Sequence, residues 1–337
     1  KKTMSHDDAP SISSTPAMIY LVDIPNTSKL SFESVFKGVD DDTKEYLCAL
    51  TKSRAAFIQH CQATSFEGAV DAISEYLPLI VNLTKQAEEK KKEFSTVPLK
   101  VQWQTPFSNK FKKTYLASTN ASDRFWIEQC FALLCATLCY RKLAGSHLLA
   151  AGDGVDTDTY VKHSTEACKA LHKAAGLCIY LRDTVIPSWP GRLEGIAETS
   201  TAFYDAFAAV CLAESQTIAA CRAMSRGSSS GVLQRVWLGA AKLWQDALTP
   251  LQALADTEGK LKLLNQYCML CAQKAKGRAL WLRAAQALGE HKPGLAIALY
   301  KMAVQEMVPS EQAKYARSRG DACEAAFFAT LDDELPR

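Results

Sequence analysis

The sequence predicts a mainly α protein: an α-solenoid of stacked helical hairpins, with a small β-sheet near its N-terminal end. Three observations lead there. From Asp123 onward, each stretch between turn signals repeats its apolar residues at three- and four-residue spacing, which places them on one face of a helix. Strand-like alternation is confined to the part before Asp123. Near the C-terminal end, two helical stretches follow each other across a turn. Cys268, Cys271, Ala275, Ala279, Leu282, Ala285 and Leu288 form one stripe, and Ala296, Leu299, Tyr300, Ala303 and Met307 the next.

That last pair fixes the kind of helical protein. Between the stripes, Gly289 to Gly294 includes Pro293, which has no amide to continue a helix, and two glycines that tolerate the dihedrals of a turn. Ala296-x3-Tyr300, with Pro309 nine residues later, is half of the tetratricopeptide pattern. Small residues let two antiparallel helices pack closely, and the apolar sides left over ask for further helices to stack on.

In chain order, residues 1–16 are polar and bury almost nothing, so they are expected to be disordered. Residues 17–337 then form one domain. Met18 to Ile24 is β-branched and aromatic, and Pro25 ends it, as for a strand. Asp42-x-x-Glu45 opens a helix with Leu47, Leu50, Phe57, Ile58 and Cys61 inward. Thr64-x-x-Glu67 resembles a capping box ahead of Phe66, Val70, Ile73, Leu77 and Ile80, and Pro78 predicts a kink near Ser74. The charged tail from Glu88 to Glu93 reads as a solvated face. Strands are expected near 18–24, 99–104 and 110–115, and since the first has no local partner, one sheet takes all three.

Beyond Asp123 the expectation is helix throughout. Phe125 to Tyr140 is apolar almost all round, which marks a central helix. The next carries Tyr160, Ala167, Leu171, Ala174, Cys178, Leu181 and Val185 and stops at Pro187 and Pro190. Others run from about Glu198 to Met224 and from Val232 to Leu248, parted by the Arg226 to Gly231 loop. Pro250 and Gly259 delimit the approach to the hairpin, and a last helix spans about Glu311 to Leu331.

Composition excludes several classes. With 39 basic and 36 acidic side chains the formal charge is +3, so nothing points to nucleic acid. The longest uncharged apolar segment, Gln129 to Tyr140, is well short of the ~20 residues a membrane span needs. Most of the twelve cysteines lie on apolar helical faces and no secretory segment opens the chain, so they read as reduced thiols of a cytosolic protein. Cys268-x-x-Cys271 is the lone CxxC pair and sits mid-helix, which argues for core rather than zinc. The six histidines form neither HxxxH nor HExxH, and phosphate loops, a G-x-S-x-G elbow and Rossmann glycines are absent. No catalytic residue, cofactor or metal is expected, and the reading is non-enzymatic.

Two surfaces remain. Lys110, Lys112 and Lys113, with the Lys90 to Lys92 run, read either as solubilising lysines or as a basic edge for anionic lipid. Val232 and Val236, one turn apart beside the Ser-rich loop, read either as core or as the floor of a groove that takes a helical peptide.

The order of elements and several local matches resemble the BRO1 domain. Lys169-Ala-Leu-His-Lys-Ala-Ala-Gly176 with Tyr180-Leu-Arg-Asp-Thr-Val185 looks like one family helix. Leu212 to Ala223 looks like another, and the Val101-Gln-Trp103 strand, Gly176, Gln216 and Arg222 are the most specific matches. The resemblance spans Met18 to the end. It implies a boomerang-shaped, monomeric adaptor in the cytoplasm, recruited to endosomal membranes. Its partner would be the C-terminal amphipathic helix of an ESCRT-III subunit of the Snf7/CHMP4 type, in endosomal sorting or PalC-like pH signalling. Carried over residue by residue, the family's aromatic position falls at Ala219, its aliphatic pair at Val232 and Val236, and its basic residue at Arg222. Ala219 departs from the pattern and leaves a shallower anchor. A generic scaffold for another peptide, or a membrane-surface module, are the alternatives.

Overall fold

The computed structural model describes residues 19–36, 38–90, 100–107, 115–116, 121–152, 155–191, 195–254 and 260–307. A short turn of helix, α1 (Phe32–Val35), leads to α2 (Asp41–Gln62) and α3 (Phe66–Glu89). Two-residue strands β1 (Trp103–Gln104) and β2 (Tyr115–Leu116) follow. Then come α4 (Ala121–Ala150), α5 (Thr157–Tyr180), α6 (Thr201–Ser225), α7 (Ser230–Leu254), α8 (Lys260–Gly289) and α9 (Pro293–Met307). The chain is mainly α, and from α4 onward each described helix packs on its neighbours in the manner of a solenoid. Residues 1–16, Lys110, Lys112, Lys113 and the helix expected over 311–331 lie outside the described residues.

α4 is the central helix its composition predicts. Every residue from Phe125 to Cys139 is buried, with α3 on one side and α5 on the other. One polar residue in that run organises the N-terminal half. The Glu128 carboxylate, with no exposed surface, accepts from Arg54 Nε (2.7 Å) and Nη2 (3.2 Å), Tyr76 hydroxyl (2.8 Å) and Trp103 Nε1 (2.7 Å). Arg54 also donates from Nη1 to Ser28 carbonyl and from Nη2 to Thr27 hydroxyl. A single buried charge pair thus joins α2, α3, β1, α4 and the N-terminal segment. Burial works against the Arg54 charge, but the Glu128 carboxylate overrides it and the guanidinium pKa ends raised.

The N-terminal segment differs from expectation. Residues 19–26 are not a strand. Tyr20 N–H donates to Glu214 and its carbonyl accepts from Arg141, so neither group is available for a ladder. Pairing with the Trp103 segment begins only past Pro25: Gln104 N–H donates to Asn26 carbonyl, Ser28 N–H to Gln102 carbonyl, and Thr27 bridges Trp103. Among the described residues, what forms of the expected three-stranded sheet is this bridge and the pair Trp103↔Leu116, Gln104↔Tyr115.

Smaller corrections have equally local causes. Asp40, not Asp42, caps α2, accepting from Thr43 N–H at 2.7 Å. Thr64 takes a left-handed φ of 55°, so no capping box forms, and α3 starts from Ser65 and runs on past Pro78. Its inner face is Ala69, Ile73, Tyr76, Ile80 and Leu83, while Phe66, Val70 and Leu77 are half-buried. Glu88 is not merely solvated, since it accepts from Trp126 Nε1 at 2.9 Å. α7 continues through Pro250. On α8, Ala285 and Leu288 face solvent and Ala284 and Ala287 are buried instead. Two successive three-residue steps after Leu282 each turn the stripe by about 60° off the packed face.

The eleven described cysteines are free thiols, Cys61 and Cys139 having their sulfurs 3.6 Å apart. Cys268 is fully buried and Cys271 half-buried in helix packing. Burial pushes the Cys130 thiol up to about 12. Alkylation of the native protein near pH 8 should therefore label half-exposed Cys48 well before Cys130, Cys135 or Cys268, as peptide mass mapping would read. Equal labelling would show a looser core.

Candidate functional site

Three side-chain contacts mark the seam between α6 and α5 with its π-helical continuation, Leu181–Val185. Thr165 accepts from Arg222 Nη1 at 2.7 Å, His172 Nε2 and Ser215 Oγ lie 3.0 Å apart, and Arg182 Nη1 donates to Asp205 Oδ1 at 2.6 Å. The partners ascend one helix while descending the other, so α5 and α6 are antiparallel. On the opposite flank of α6, Gln216 Nε2 donates to Val236 carbonyl at 3.4 Å, and Trp244 Nε1 to Thr217 hydroxyl at 3.1 Å. The loop 226–229 returns the chain directly into α7, so the residues on either side of it are neighbours.

These seams leave one lengthwise strip of α6 open to solvent between α5 and α7. Asp205, Leu212, Ala219 and Ala223 recur along it at helical spacing, each half-buried or exposed. α7 presents Val232, Val236 and Leu243 beside it, and α5 contributes Ile179. The residues carried over from sequence, Ala219, Arg222, Val232 and Val236, therefore stand at one end of a common surface. They are not equivalent. Val232 is 40% exposed, whereas Val236 is half-buried and also packs against the main core. The core reading therefore fits Val236 in part and does not fit Val232. Arg222 is half-buried and donates from Nη1 to Thr165 hydroxyl.

Electrostatics differ between the two ends. Near Arg222, burial pushes the Tyr160 phenol up to about 12, with Cys221 acting the same way and Arg222 against it. The phenol is neutral at physiological pH and offers a hydroxyl rather than a charge. At the far end, hydrogen bonds to Asp183 and Asp205 raise the Arg182 pKa, and the same contact lowers that of Asp183. Leu212, Leu243, Ile179 and the Asp183/Asp205 end escaped the sequence reading. The half-apolar spacing along Leu212 to Ala223 was the one available signal.

Below the strip, α6 is held from the inside. Glu214 is fully buried and accepts from Arg141 Nη1 (2.5 Å) and Nη2 (2.9 Å), Tyr267 hydroxyl (3.1 Å) and Tyr20 N–H (3.3 Å). Burial raises its pKa, opposed by the Arg141 charge. Ser215 with His172 resembles a nucleophile and base only superficially. The Ser215 side chain is 3% exposed inside the seam, and among the described residues no carboxylate orients the imidazole. Among the described residues no group of histidine, cysteine and carboxylate could hold a metal ion. No described helix is long and apolar enough to cross a membrane.

No family model and no curated protein matches the sequence. Solved structures do. The BRO1 domain of ALIX in complex with CHMP4C superposes with a TM-score of 0.65 at 17% identity, over 94% of this chain and 86% of that one. ALIX in complex with a SIVmac239 late domain gives 0.67 at 15% identity, over 95% of this chain and 44% of that one. A Bro1 domain structure concerned with endosomal targeting gives 0.65 at 13% identity, over 95% and 84%.

Proposed function

We propose that this chain, which has the BRO1 fold, is a non-enzymatic adaptor binding the C-terminal amphipathic helix of an ESCRT-III subunit of the Snf7/CHMP4 type. It would work in the cytoplasm, recruited to endosomal membranes, in endosomal sorting or PalC-like pH signalling. One observation carries the reading: exposed Val232 stands one turn from Val236, beside Ala219 and Arg222, on the open strip of α6 and α7. An amphipathic helix binds through anchors one turn apart, and Arg222 is placed to meet an acidic residue on it. The CHMP4C complex of a similarly folded domain supports the choice of partner class.

Val232→Asp tests it. A charge at an exposed position is tolerated by the free protein, but a docked helix would have to desolvate it, and losing a central anchor costs upward of ~2 kcal/mol. Binding of peptides from the C-termini of ESCRT-III subunits should fall more than about thirtyfold with the melting temperature unchanged. Arg222→Ala should weaken binding less, and more at low salt than at high. Full binding by a folded Val232→Asp protein would reject this surface as the site.

A further inference from the structure

The strip does not end at the four residues carried over from sequence. It continues along α6 past Leu212 to Asp205, about 25 Å from Arg222 at 1.5 Å per residue, with Ile179 of α5 and Leu243 of α7 on its flanks. Its two ends carry opposite charge. Around the loop between α6 and α7, among the described residues, Lys162, Arg222, Arg226 and Arg235 outnumber Asp156 and Asp158, while Lys169 is spent on Glu166. At the other end Arg182 faces two carboxylates, Asp183 and Asp205, both more than half exposed. Lys242 and Asp246 on the adjoining turn of α7 offset one another, so among the described residues that end is net negative.

We infer that the whole strip is one docking surface for a charge-polarised amphipathic helix of about five turns, its acidic half over Arg222 and its basic half over Asp183 and Asp205. This rests on the helix-binding reading above and adds a second subsite that fixes the orientation of the occupant. The apolar middle supplies area without direction: Leu212, Ala219, Val236 and Leu243 would accept a helix either way round. The opposed charges make the two orientations unequal, since reversing the helix sets like charges together at both ends. Each end pair is surface-exposed, so its effect is modest and sensitive to salt.

The test uses two synthetic peptides of about twenty residues with the same apolar stripe and the same glutamate-bearing half. The second half carries lysines in one peptide and glutamines in the other. On the wild-type protein at low salt the lysine peptide should bind roughly fivefold tighter. The advantage should vanish in Asp183→Asn/Asp205→Asn, whose melt should match wild type because both carboxylates are exposed. Equal affinities on wild type, with both peptides still lost in Val232→Asp, would overturn the second subsite and leave the groove standing. If neither peptide binds, or binding survives Val232→Asp, the groove falls and the orientation rule with it.

Discussion

Replacing Glu128 with alanine should cost about 3–5 kcal/mol, a large share of the ~5–15 kcal/mol that holds an ordinary domain together. The carboxylate takes four hydrogen bonds from three side chains on three elements, and its whole capacity is filled. Without it the Arg54 guanidinium, 3% exposed, is a buried charge with no counter-ion, and the Tyr76 hydroxyl and Trp103 indole lose their acceptor. The penalty lies in the stranded charge more than in the lost bonds. Removing both charges together, as Arg54→Leu/Glu128→Leu, should therefore be less destabilising than the sum of the two single changes. Urea denaturation of the three variants reads this directly. Additive losses would mean that the pair acts through shape rather than charge.

This network also marks the limit of what the sequence disclosed. Helix periodicity reports faces, so α4, α5 and the α8–α9 hairpin were legible from Phe125, Leu171 or Ala296 alone. It reports nothing about which polar residues on those faces are paired. Glu128 and Glu214 sit inside apolar runs, and their partners are 74 and 73 positions away in Arg54 and Arg141. The N-terminal strand failed for the same reason. Met18 to Ile24 has strand composition, but the Tyr20 peptide is claimed by side chains from α4 and α6, a contact that no local pattern encodes. At the candidate site, the end near Arg222 was reachable through the family resemblance. The end near Asp205 was not, because its character depends on Asp183 and Arg182 arriving from another helix.

The second large effect separates the support of the strip from the strip itself. Glu214→Ala should destabilise the protein by about as much as Glu128→Ala, because it strands Arg141, which is 1% exposed. It should also do something Glu128→Ala does not. Glu214 lies on α6 five positions before Ala219, facing inward, and ties that helix to α4 through Arg141, to α8 through Tyr267 and to the N-terminal segment through Tyr20. Freed of these ties, α6 is no longer fixed from below against α4 and α8, and the strip it carries between α5 and α7 is less firmly shaped. At a temperature where Glu214→Ala and Glu128→Ala are both folded by circular dichroism, peptide binding should be weakened in the first and retained in the second. Val232→Asp is the converse control, since it should lose binding with an unchanged melt. If Glu214→Ala binds the peptide as tightly as Glu128→Ala does, the inward clasp supports the fold but not the docking surface.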